Sequence, residues 1–146
     1  MRDQSSESRE ATLSLISAGI LNEETDVLEA RLRDACEQIW NSLEAEHLGE
    51  NDGPREWFNK VKDATKRALC DDDKMKAKLH EAFERINDGT QVLAVLLEPL
   101  VDATYQALEM DGNIRADLSD NVLVVGYATL WAIKLGGDRF CQSSAP

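Results

Sequence analysis

The stretch R-A-L-C-D-D-D-K-M-K-A-K-L-H places Cys70, Asp71, Asp72, Asp73 and His80 within eleven positions, the residue types that bind metals or move protons. Helical geometry argues against that chemistry here. Met75, Leu79, Ala82, Phe83 and Ile86 mark the apolar face of a helix that begins at or just before Lys74 and ends at Asp88 and Gly89. On it His80 stands about two turns beyond Asp73, too far to share an ion without a ligand from elsewhere. The aspartates fall where unpaired backbone N–H groups need acceptors and the helix dipole favours negative charge. Capping is therefore the expectation, with no metal ion and no cofactor.

A second acidic stretch, D-G-N-I-R-A-D-L-S-D-N from Asp111, invites comparison with a calcium loop. The comparison fails on chemistry. Arg115 holds the fifth position, Ala116 stands where glycine is needed, and Val122 replaces the twelfth-position glutamate. The two histidines, His47 and His80, have no nucleophile and acid at a readable spacing, and there is no phosphate loop, dinucleotide fingerprint or H-E-x-x-H. No catalytic residue can be named, so a non-enzymatic role is expected.

The elements around these stretches read as helices. Leu13, Ile16 and Ile20 suggest a short first helix after a disordered arm over residues 1–8. Asn22 is a good cap for a second, with a core stripe of Leu28, Leu32, Ala35, Ile39 and Leu43 and an end near Leu48. Pro54 opens a third, whose stripe is Trp57, Phe58, Val61, Ala64 and Ala68. Thr90 to Met110 is strongly apolar, and Pro99 predicts either a kink or two short helices. Val122 to Leu135 is apolar on every side. A strand over Val122 to Tyr127 would lack a partner of equal strength, so a buried helix is expected, capped by Ser119 or Asp120. Gly126, Ala128, Thr129 and Ala132 would let neighbours approach closely, and Leu130 and Trp131 would fill the core. The expected fold is an all-α, compact single-domain bundle of five to seven helices over residues 9–137, the apolar fifth and sixth central, with a flexible tail over 138–146.

Charge bounds the partners. The 146 residues carry a net charge of -12, which opposes nucleic acid and anionic membranes by bulk electrostatics. The charge is segregated: net -9 over residues 1–52, +1 over 53–89 and -4 over 90–146. Cys36, Cys70 and Cys141 are odd in number and widely spaced, suggesting neither a disulfide framework nor a zinc knuckle and fitting a reducing cytoplasm. The polar N-terminus does not resemble a secretory signal, and the longest apolar run is too short to span a bilayer.

These observations favour a protein–protein interaction module, such as a small subunit, adaptor or inhibitor. Its candidate surface is the second helix, where Asp26, Glu37 and Glu44 face away from the core stripe. Trp40 falls roughly 100° from that stripe on a helical wheel, making it the candidate anchor with Glu37 and Glu44 as its rim. An indole covered by a neighbouring helix is the competing reading. Two other functions stay open: an acidic antagonist, whether a DNA mimic or a toxin-neutralising immunity protein, and a helical enzyme or ligand-binding bundle with an apolar pocket. Homo-oligomerisation is open as well.

Overall fold

A computed structural model of the chain describes residues 4–42, 53–111, 114, 118, 120–136 and 140–141. Among them are six α-helices: α1 (Gln4–Ser17), α2 (Thr25–Ser42), α3 (Pro54–Cys70), α4 (Asp73–Glu84), α5 (Thr90–Met110) and α6 (Val122–Leu135), with 3-10 turns at Ile20–Asn22 and Ile86–Asp88. No strand occurs among the described residues. The expected all-helical bundle is what forms.

The sixth helix organises the bundle because it is apolar all round. Its buried residues run almost without a break from Val124 to Ile133, and α6 packs against each of the other five helices. Gly126 lets α1 come close: a Cβ there would lie 3.0 Å from Thr12 Oγ1 and 3.3 Å from Leu15 Cδ1. The cap of α6 is Asn121, which accepts from the Leu123 and Val124 N–H groups at 2.9 and 3.1 Å, so the helix starts just beyond the expected caps, Ser119 or Asp120. Gly136, at φ +93°, ends it.

Several expectations change. Helix α1 begins at Gln4, inside the stretch expected to be disordered, and Ser8 and Thr12 are buried. Their small side chains lie one turn apart, and Thr12 meets α6 at Gly126, a role that a search for large apolar residues overlooks. Pro99 lies inside one continuous helix, α5, where it cannot supply the N–H that the Val95 carbonyl would otherwise accept. Phe83, expected on the core face of α4, is exposed at 42%, yet its ring lies 3.3 Å from where a Gly136 Cβ would stand.

The cysteine reading is corrected. Cys70, at the end of α3, and Cys141, beyond α6, form a disulfide with a Cα–Cα separation of 5.6 Å. Cys36 alone is a free thiol, and it is buried. Beside the bond, Phe140 is fully buried and meets Trp131 edge to face at 5.1 Å. Residues 140 and 141 are thus part of the packed structure, against the expectation of a tail from 138 onward.

Candidate functional site

The opening cluster separates into local roles. Asp71 is the C-cap of α3, its N–H donating to the Arg67 carbonyl. Asp72 is the N-cap of α4, its Oδ1 accepting from the Lys74 and Met75 N–H groups at 2.8 and 3.4 Å, and Asp73 stands in the first turn. His80 Nε2 lies 2.7 Å from Glu84 Oε1 on its own helix, and Cys70 is engaged with Cys141. Among the described residues, no three His, Cys, Asp or Glu side chains converge as a metal site would require.

The α2 surface holds the residues singled out as an interface. Asp26 and Glu37 are exposed, and exposed Arg33 stands between them. Trp40 is half-buried and packs against the core cluster, which combines the two readings of that residue: one part of the indole is covered, the rest is at the surface. Glu44 and His47 lie outside the described residues. At the start of the helix, Arg31 holds Glu23 through two 2.6 Å bonds. This hydrogen bonding keeps the Glu23 carboxyl below its usual range and raises the Arg31 guanidinium.

Two further concavities come from helix packing. One of about 570 Å³ lies where α2, α3 and α6 meet, bordered by Asp26, Glu29, Lys62, Lys66 and Trp131. Lys62 is committed there: its Nζ donates to Glu29 Oε1 at 2.8 Å and lies 4.6 Å from the Phe58 ring centroid and 5.7 Å from that of Trp131. Lys66 has its ammonium pKa lowered, first by desolvation and then by repulsion from Lys62, against an opposing pull from Asp63. Three acids around two lysines leave this cleft without a dominant sign.

The other, about 280 Å³, is a groove between α1 and α5, lined by Leu13, Ala94, Val95 and Leu97 with Arg9, Glu10 and Glu98 at its edge. Arg9 grips Asp102 through both carboxylate oxygens, at 3.1 and 2.9 Å, and approaches Glu98 at 3.4 Å. Val95 was absent from the candidate residues, as was Val92, which is exposed one turn away but does not line the groove. Their signal was available in the sequence: together with Pro99 they repeat at i, i+3 and i+7, off the face defined by Leu93, Leu97 and Leu100.

Compared with known proteins, the chain matches no family model, no curated protein and no solved structure. Its surfaces are what remains to indicate function.

Proposed function

We propose that this chain is a non-enzymatic protein-binding module whose α2 surface docks a basic partner, with Trp40 as anchor and Glu37 and Glu44 as rim. The observation that carries the reading is the arrangement along α2: Glu37 is exposed one turn before a half-buried Trp40, and Asp26 is exposed nearer the start of the same helix. A partly packed indole is held in place and loses little freedom on binding, and aromatic residues so placed are favoured anchors. The net charge of -12 adds attraction for a basic surface.

The acidic antagonist, a DNA mimic or toxin-neutralising immunity protein, is the rival to this proposal, and salt dependence separates the two. Binding driven by charge weakens steeply as salt rises through the physiological range, whereas an indole-centred interface holds its affinity. No helix of the described residues is long and apolar enough to cross a membrane. The cytoplasmic site expected from cysteine spacing suits the protein with Cys70 and Cys141 reduced, while the disulfide favours an oxidising setting.

The test begins with affinity capture from the native cell, followed by titration of the purified partner against wild type, Glu37→Lys and Trp40→Ala. Weakened binding by both variants, with cooperative melting retained, supports the reading. Unchanged affinity in both overturns it. Loss of folding in Trp40→Ala assigns the indole to the core, and Glu37→Lys then decides alone.

A further inference from the structure

The Cys70–Cys141 bond stands where a disulfide can open without taking the fold apart. It ties the last residue of α3 to a residue beyond Gly136, where α6 has ended. Both cysteines are half-buried. Cys70 also lines a concavity of about 210 Å³ at the end of α3, bordered by Asp63, Lys66, Arg67 and Asp71, which gives reagents in solution a way to its sulfur. Phe140, one residue before the bond, is fully buried, meets the Trp131 ring at 5.1 Å and donates its N–H to the Gly136 carbonyl at 2.8 Å. These contacts hold the segment whether or not the sulfurs are joined. The third thiol stays out of the exchange: Cys36 is buried, and burial pushes it up to about 12, so it supplies no thiolate to re-pair the other two.

We propose that Cys70–Cys141 is a reversible thiol-exchange site, opened by a dithiol reductant that attacks Cys70 Sγ and closed again by a disulfide oxidant, with both forms folded. A thiolate of the dithiol forms a bond to Cys70 Sγ, and the Sγ–Sγ bond breaks with its electron pair on Cys141, which takes up a proton. The dithiol's second thiolate then attacks the reductant's own sulfur in the mixed disulfide and releases Cys70, which is protonated in turn. The protein has gained two electrons and two protons, and the dithiol has become a disulfide. Closure runs the same steps in reverse. Access selects Cys70 as the sulfur attacked, because it lines the concavity and Cys141 does not. The redox poise of the surroundings thereby sets whether α3 is tied to the segment beyond α6. The two forms differ in stability rather than in fold, independently of the α2 docking surface.

The test reduces the full chain with dithiothreitol under native conditions, withdraws samples into excess N-ethylmaleimide without denaturant, and locates the label by mass spectrometry. Cys70 and Cys141 should be labelled together while Cys36 stays unlabelled, and oxidised dithiothreitol should restore the bond in unlabelled protein. The rate of reduction should be flat in urea below the unfolding transition, because attack occurs on the folded protein. A rate that climbs steeply with urea means that the sulfurs are reached only when the structure opens; the bond is then a closed staple and the proposal is overturned. Reduced protein without a cooperative melting transition, or native labelling of Cys36, overturns it as well. The attacked sulfur is identified with a monothiol, mercaptoethanol, whose mixed disulfide is trapped when N-ethylmaleimide blocks the released thiol. The adduct should map to Cys70, and an adduct on Cys141 would overturn the choice of sulfur.

Discussion

Reducing the Cys70–Cys141 bond should cost this protein a large part of its stability. The two cysteines are 71 positions apart, and in the chain-entropy description a loop of that length contributes about 4.4 kcal/mol by restricting the unfolded ensemble. Unfolding entropy near 2.1 cal/mol/K per residue converts this, for 146 residues, into a drop in Tm of roughly 14 °C. Differential scanning calorimetry of the oxidised protein, the reduced protein and a Cys70→Ala/Cys141→Ala variant measures it. The reduced and double-variant proteins should melt together and well below the oxidised one, which should release only one reactive thiol, Cys36, when denatured without reductant. Three thiols on denaturation, or coincident melting curves, would refute the reasoning. Because Phe140 packs fully buried against Trp131 next to the bond, the reduced protein should still fold.

Three other expectations come from single sites. Asp72→Ala removes both cap bonds of α4 and should cost about 1 kcal/mol in chemical denaturation, with Asp71→Ala costing less, because the Asp71 cap bond is made by its backbone. Gly126→Val forces a branched side chain against Thr12 Oγ1, which is held by a 2.7 Å bond to the Ser8 carbonyl, and should destabilise by about 1–3 kcal/mol in the same assay. Burial pushes the Cys36 thiol from 9.0 to about 12. The folded state therefore keeps its proton where the unfolded state loses it, so this stabilisation is complete below pH 9 and declines as pH rises from 9 to 12. Cys36→Ala should show a shallower fall in stability than wild type across that window.

Much of the fold was legible because it rests on local pattern. The continuous apolar run of α6 allowed no exposed side, and the small residue Gly126 within it announced the close helix approach that α1 supplies. The acids before α4 were readable from helix-end chemistry, though their division among Asp71, Asp72 and Asp73 depends on how tightly α3 and α4 are joined. What was missed is tertiary. Nothing in cysteine spacing tells that α3 ends beside the segment after α6. The burial of Ser8 and Thr12 is decided by their partner helix, not by their own hydrophobicity. For the candidate site, a helical wheel left Trp40 open between an outward anchor and a covered indole, and the structure has it half-buried beside exposed Glu37; the wheel could not show the α1–α5 groove, which is defined by two helices separated by much of the chain.

The central place of α6 also governs how the chain is made. Synthesis runs from the N-terminus, and α6 is the last of the six helices to leave the ribosome, although all five others pack on it. Until Val122–Leu135 emerges, α5 can pack on α1, α3 and α4, but the surfaces of α1 to α5 that turn toward α6 stay exposed on the nascent chain. Its acidic stretch, net -9 over residues 1–52, is already outside during that interval and keeps neighbouring nascent chains apart by repulsion. Bundle closure is consequently a late event, and a chain halted before Val122 would hold α1 to α5 with their α6-facing surface open to water.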